Sequence, residues 1–238
     1  MSETGLARIL ALMPVRRGSV RIPNKNLQLM AGQPLVVRKV KQLQQSRHVT
    51  QVVVGTNCPE ARSLALAAGA SVVDRDEAAC DEAVSPANIM IGDFVKRVNA
   101  DIIVWSHCTN PFLYARHYDA AIDAFLEAET EGADSLLSVI RMQSHMWNEH
   151  GFPINYNPYG PKHALAKTLA PVFFQDGGIF IQRHANMLLN SYFFGRQPKL
   201  FEVEFPYSHD INVRSDLEIG RALAPMLDQV EGFTAGYV

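Results

Sequence analysis

The chain has 238 residues, a formal net charge of −2 and 47% hydrophobic residues. This is enough apolar material for a sizeable α/β core, and a charge balance so close to zero argues against a general nucleic-acid surface. Cys58, Cys80 and Cys108 are odd in number, far apart and without a CxxC pair, so no disulfide scaffold is expected and a reducing, cytoplasmic setting fits. Met1 to Arg8 has no apolar signal core and no apolar run approaches the length of a membrane span, so a soluble protein is expected.

Ile9 to Met13 is short, apolar and bounded by Pro14, the pattern of a buried first strand. Directly after it, Arg16, Arg17, Arg21 and Lys25 surround the turn Gly18-Ser19. Gly18 allows close backbone approach, Ser19 adds a hydroxyl donor, and the four cations supply charge-assisted donors, so the segment reads as an anion-binding loop. Pro34 to His48 then places Leu35, Val36, Val40 and Leu43 at helical spacing, and Gln51 to Gly55 is a β-branched strand. An Ala-rich helix over Pro59 to Ala68, stopped by Gly69, leads to a strand over Ala70 to Val73. Ser85 is expected to cap a helix with Pro86 at its first position, running to about Val98. Asp101 to Trp105 reads as a strand, Ala115 to Glu131 as a helix and Ala133 to Arg141 as a strand.

At Met142 the alternation stops. Residues from Gln143 to Pro161 are rich in Gly, Pro, Asn and aromatic side chains, including Trp147, and predict an irregular arm over about 142–170 that serves as a lid or a dimer contact. Regular elements resume with a strand over Gly178 to Gln182, a helix over His184 to Asn190, a strand over Leu200 to Phe205 and a last helix over Arg214 to Leu227. The whole predicts one domain of the three-layer, doubly wound α/β class, with a mostly parallel sheet covered by helices on both faces.

Ligands of such sheets bind beyond the carboxyl ends of the strands. The polar residues there are the basic loop, Thr56-Asn57, Asp74-Arg75, the run from Ser106 to Pro111, Gln175 to Gly178, and Ser208 to Asn212. Alternation sends Asp210 and Asn212 to one side of an extended chain, where two oxygen ligands suit a hard cation such as Mg²⁺ or Mn²⁺. The competing reading is that one of them caps the last helix.

Pro14, Arg16, Gly18, Ser19, Ile22, Pro23, Lys25 and Asn26, followed by Gly32, Pro34 and Leu35, resemble the loop and first helix of the CMP-sialic acid synthetase family, the acylneuraminate cytidylyltransferases. Weaker matches follow in order: Thr56-Asn57, Arg75, Thr109-Asn110-Pro111, Asp176-Gly177-Gly178 where the family has Asn-Gly-Ala, and Asp210-Ile211-Asn212 where it has Asp-Ile-Asp. The resemblance implies a nucleotide-diphospho-sugar transferase-like, Rossmann-like fold, a homodimer, and transfer of CMP from CTP to the anomeric hydroxyl of an acidic keto-sugar. It further implies that Arg16, Lys25 and Asp210 are catalytic, and that Gly18, Ser19, Arg21, Asn26 and Arg75 join Arg16 and Lys25 at the nucleotide. Sugar contacts would come from His107, Thr109, Asn110, Lys167, Asp176 and Gly177, and metal contacts from Asp210 and Asn212. His209 is a candidate base by sequence proximity.

The departures have chemical weight. A family lysine is Val20 here, with Arg21 beside it, so a cation is shifted by one position. Asn212 keeps an oxygen ligand but removes a negative charge, and Lys167 replaces an arginine fork by a point charge. These changes cluster on the sugar side and point to a nonulosonate other than ordinary sialic acid, such as a bacterial diacetamido acid. Activation of an eight-carbon keto-deoxy acid, uridylyl or guanylyl transfer to a sugar phosphate, and a non-catalytic nucleotide-binding paralogue stay open. A dinucleotide oxidoreductase is disfavoured because the first loop lacks G-x-G-x-x-G and no acid closes the second strand.

Overall fold

A computed structural model describes residues 7–81 and 85–234. The reading of the N-terminal segment therefore lies mostly outside the described residues. In chain order the elements are β1 (Ile9–Val15), a 3-10 turn at Lys25–Leu27, β2 (Leu29–Met30), β3 (Gln33–Pro34), α1 (Leu35–Gln44), β4 (Gln51–Thr56), α2 (Pro59–Ala67), β5 (Ser71–Asp74) and α3 (Glu77–Cys80). They continue with α4 (Ala87–Val95), β6 (Ile102–Ser106), α5 (Ala115–Thr130), β7 (Ser135–Met142), β8 (Val172–Arg183), α6 (His184–Asn190), β9 (Pro198–Glu202) and α7 (Arg214–Val230).

Among the described residues, one seven-stranded sheet has the order β5-β4-β1-β6-β8-β7-β9. All neighbours pair in parallel except β8, which is antiparallel to both β6 and β7. The period-2 alternation of each buried strand splits its apolar residues between two layers. Ala11, Met13, Val54, Val104 and Ile181 face one cluster with α1, α2, α5 and α7, while Leu10, Leu12, Val53, Trp105 and Phe180 face another with α4 and α6. The three-layer expectation is met, and β1 lies between β4 and β6, so the chain's switch of direction falls at its carboxyl end.

Several boundaries differ from expectation for local reasons. The Ser85 hydroxyl donates to the Ala78 carbonyl at 2.6 Å, so it caps nothing; α4 begins at Ala87 and Pro86 is its N-cap. β8 starts well before Gly178 because Phe173 to Gln175 pair with Arg141 to Val139 before the register breaks. Leu137 faces Phe180, and Val139 faces Gln175, so Asp176, Gly177 and Gly178 form a bulge. Gly177 is left-handed at φ 72°, and a Cβ on Gly178 would sit 2.6 Å from Leu113 Cδ1. The arm is irregular, as its turn residues predict, with one isolated bridge between Trp147 and Pro153.

Arg38, Lys39 and Gln42 of α1 lie in the interior. Arg38 donates to the Pro111 carbonyl and to Asp228, Lys39 to the Leu113 carbonyl at 3.1 Å and to the Tyr118 hydroxyl at 2.9 Å, and Gln42 to the Pro111 carbonyl at 2.8 Å. These bonds hold the turn after β6, whose carbonyls would otherwise be buried without donors. No described helix is long and apolar enough to cross a membrane.

Candidate active site

The loop after β1 is shaped by left-handed residues at Gly18 (φ 83°) and Asn24 (φ 50°), the first being a position where glycine has no Cβ penalty. Two side-chain amides tie the loop down. Asn57 accepts from Arg17 N–H at 2.9 Å, and Asn26 donates to the Arg16 carbonyl at 3.2 Å while accepting from the Cys108 thiol at 3.0 Å. The loop opens on a cavity of about 500 Å³ lined by Arg16, Ser19, Val20, Arg21, Lys25, Asn26, Arg75, His107, Cys108 and Thr109. Arg17 and Gly18 line an adjoining hollow, which they share with Arg16. Arg16 lines both hollows, Arg21 and Lys25 only the first and Arg17 only the second.

Arg75 lines the first cavity and also braces its wall. Its side chain is 1% exposed, and its guanidinium donates to Asp93 at 3.2 Å, to the Met90 carbonyl at 2.7 Å and to the Ala79 carbonyl at 3.4 Å. It braces the cavity wall by holding α3 against α4. Gly55 makes room for it, since a Cβ there would lie 2.8 Å from Arg75 Cδ and 2.7 Å from the Phe94 ring.

A second cavity, about 580 Å³, is lined by Gln175, Asp176, Gly177, His209, Asp210, Asn212 and Asp216 among others. Lys25 links the two, donating from Nζ to the Ile211 carbonyl at 2.9 Å. Burial pulls its pKa down, and the Asp210 charge opposes that shift. Asp216, at the third position of α7, accepts from Asn212 N–H and Val213 N–H, each at 2.8 Å. The N-cap position is Val213, and Asp216 bonds back to it, so neither Asp210 nor Asn212 is the N-cap. Asn212 Nδ2 donates to Asp210 Oδ2 at 2.6 Å, while Asp210 Oδ1 is buried with no hydrogen-bond partner among the described residues.

The bulge of β8 carries the other carboxylate. Asp176 is 4% exposed; its Oδ1 accepts from the Ser138 hydroxyl and from Gly178 N–H, and its Oδ2 is buried without a partner among the described residues. Burial raises its pKa, and the Ser138 and Gly178 bonds work against that. Beneath it, His107 Nδ1 is 2.9 Å from the Gly177 carbonyl and Nε2 is 3.1 Å from Trp105 Nε1. Indole N–H can only donate and a carbonyl can only accept, so His107 holds its proton on Nδ1 and uses both nitrogens to position the bulge. Asn110 is 1% exposed and donates to the Asp176 carbonyl at 3.3 Å, and Ile211 N–H donates to the Thr109 carbonyl at 2.9 Å. One short turn after β6 therefore grips both acid-bearing segments.

Lys167 does not join this assembly: it is exposed in a 3-10 turn of the arm and lines neither cavity. Cys108 is buried and its thiol is pushed up to about 12, so it stays protonated near neutral pH and acts as a filler and weak donor. His209 Nε2 donates to the Asp216 carbonyl at 2.8 Å and its ring stacks on Phe112, which leaves Nδ1 as its free lone pair. Residues without a sequence signal include Ser138, which holds Asp176, and Phe193, which lines the first cavity; Asp216 could have been found from its capping position. Among the described residues no group of three or more His, Cys, Asp or Glu side chains forms a self-sufficient metal centre. The unpartnered Asp210 oxygen does fit a hard cation that completes its shell with water and phosphate.

A basic loop at the switch point of an open sheet, with a carboxylate-lined cavity tied to it through Lys25, defines an α/β protein of the nucleotidyltransferase-like fold. That fold is shared with the solved structure of CMP:2-keto-3-deoxy-manno-octonic acid synthetase complexed with CTP, at a TM-score of 0.68 and 16% identity over 92% of this chain and 99% of that one. The chain belongs to the cytidylyltransferase family, whose model, described as "Cytidylyltransferase", matches residues 10–236. N-acylneuraminate cytidylyltransferase of Streptococcus agalactiae serotype III is 24% identical over 217 residues, 87% of this chain and 51% of that protein. CMP-N,N'-diacetyllegionaminic acid synthase of Legionella pneumophila is 42% identical over 65 residues, 27% of this chain and 28% of that protein. The chain spans about half the length of the streptococcal relative it matches.

Proposed function

We propose that this protein transfers CMP from CTP to the anomeric hydroxyl of a 2-keto-3-deoxy sugar acid, releasing pyrophosphate. The observation that carries the reading is the reach of Lys25: it lines the cation-lined cavity and bonds the Ile211 carbonyl, between Asp210 and Asn212 of the carboxylate-lined one. In-line attack on an α-phosphorus asks the protein for positioning and charge stabilisation more than for covalent chemistry. Arg16, Arg21 and Lys25 bind the triphosphate, with Ser19 and the backbone around Gly18 as neutral donors. Lys25, tied to the Ile211 carbonyl, sits between the phosphates and Asp210 and stabilises charge as the pyrophosphate leaves. Asp210 would hold Mg²⁺ or Mn²⁺, which would supply Lewis-acid stabilisation of the phosphate charge. His209 Nδ1 is the side-chain lone pair on this wall suited to take the proton of the attacking hydroxyl.

The acceptor is a nonulosonate, as the match to the legionaminic acid synthase supports, and the eight-carbon acid is the competitor to test beside it. Free cysteines and the absence of a membrane-crossing helix among the described residues are in keeping with a cytoplasmic setting. The arm exposes Trp147, Phe152, Ile154 and Tyr159, and we assign to it the contact of a homodimer. Purified protein given CTP and Mg²⁺ is expected to release pyrophosphate only when a keto-deoxy sugar acid is added, with diacetamido nonulosonates best in a panel. No release with any acid, together with weak CTP binding, would favour a non-catalytic paralogue.

A further inference from the structure

Two carboxylates on the wall of the second cavity share one unusual feature. Each has one oxygen held by protein donors and the other buried with no partner among the described residues: Asp176 Oδ2 from the bulge of β8, and Asp210 Oδ1 from the segment before α7. Buried acceptors in folded proteins are almost always paired, and an unpaired charged oxygen is the expensive kind. Both acids line the same cavity, where like charges repel. The turn after β6 bonds the Asp176 and Gly177 carbonyls through Asn110 and His107, and the Ile211 N–H through Thr109, so both acids are held at a set separation.

A divalent cation answers every part of that description. It supplies a partner to both oxygens and removes the repulsion, and Mg²⁺ or Mn²⁺ is commonly held by one or two carboxylates, with waters and substrate phosphates completing the shell. Asn212, by contrast, directs its amide nitrogen at Asp210, and an amide nitrogen donates hydrogen bonds and does not ligate a hard cation. Relative to the resembled pattern, Asn-Gly has become Asp176-Gly177 and Asp-Ile-Asp has become Asp210-Ile211-Asn212, so the carboxylate count is unchanged and its location has moved.

We propose that Asp176 is the second carboxylate of the divalent-cation site, paired with Asp210, and that Asn212 is a positioning residue that orients Asp210. The proposal rests on the cytidylyl-transfer reading for the identity of the cation's phosphate partner, and its test does not depend on turnover. Mn²⁺ is titrated into the full chain, with and without saturating CTP, and bound Mn²⁺ is followed by electron paramagnetic resonance. Asp176→Asn is expected to weaken Mn²⁺ at least tenfold, as Asp210→Asn does, and to abolish the rise in melting temperature that Mn²⁺ gives the parent protein. Ser138→Ala keeps the carboxylate but removes one of its donors, and is expected to weaken Mn²⁺ several-fold with the fold intact; it serves if Asp176→Asn fails to fold. Unchanged Mn²⁺ affinity in Asp176→Asn with a raised KM for the sugar acid overturns the proposal and gives the free oxygen to the sugar. Absence of Mn²⁺ binding in the parent protein overturns it as well. Mn²⁺ binding lost in both acid variants, with no turnover on any sugar acid, leaves the site standing and removes the cytidylyl-transfer reading.

Discussion

The two walls of the site are built in opposite ways. The basic wall is a loop on the surface: Val20 is 91% exposed, and the charge sits at the ends of long arginine and lysine side chains. The acidic wall is part of the sheet and its supports, with short carboxylate side chains anchored by Ser138, Gly178, Asn212 and the turn after β6. Long cations on a loop can close around a flexible polyphosphate, each contact being separately replaceable. Carboxylates held from beneath cannot move to find their partner, so that wall must be correct before the substrate arrives, and its supports reach deep into the core.

If this contrast is right, the largest effect belongs to the acidic wall. Asp210→Ala is expected to lower pyrophosphate release by about 10²–10³-fold, with the thermal melt unchanged. Retained turnover would strip Asp210 of its role. Next in size is the support below the turn. His117 accepts from Tyr114 N–H at 3.1 Å at the start of α5, and burial lowers its pKa from 6.5 to about 4. Between those values the unfolded chain takes up the proton and the folded one does not. Stability is therefore complete above pH 6.5 and declines as the pH falls to about 4, by on the order of 3 kcal/mol. His117→Gln, which retains an acceptor and does not titrate, should flatten that decline in urea melts across the window; an unaltered slope would locate the proton elsewhere.

On the basic side the consequences should be smaller and more local. Gly55→Ala, which forces a methyl against the Phe94 ring and Arg75, is expected to lower stability by about 1–3 kcal/mol in urea melts. It should also weaken CTP binding by loosening the brace that Arg75 makes between α3 and α4. A variant with normal stability would show that the ring and guanidinium yield easily. Arg16→Ala should raise the KM for CTP about tenfold, roughly one charge-assisted bond, and Arg17→Ala less, because Arg16 lines both the main cavity and the hollow beside it. Equal losses would mean that the loop presents both side chains alike.

How much of this was readable before the fold was known differs between the walls. The basic loop is contiguous, so Arg16, Gly18, Ser19, Lys25 and Asn26 announce themselves as a cluster within a few residues of a strand end. The buried roles of Arg38, Lys39 and Gln42 were hidden because a basic residue in a helix carries no mark of which carbonyl it will meet. Arg75 matched a nucleotide-side position in the sequence, yet its donors go to Asp93 and two carbonyls, a commitment that depends on where α3 and α4 pack. Lys167 was placed by local resemblance alone, and the path of the arm leaves it exposed and outside both cavities.

Strand and helix alternation, the anion-binding loop and the class of the fold all follow from local patterns: apolar periodicity, glycine at a left-handed turn, cations beside a strand end. These are short-range properties, legible because steric limits and burial act on neighbouring residues. The reversed strand β8, its bulge at Asp176, and the gathering of Asp176 and Asp210 around one turn are long-range. They depend on which segments the core brings together, and no spacing in the chain records that Asn110 will hold the backbone of a residue from another strand. The charge of this site is thus written along the chain on its basic side, and on its acidic side it is made by packing, because burial turns two separate aspartates into one unsatisfied pair.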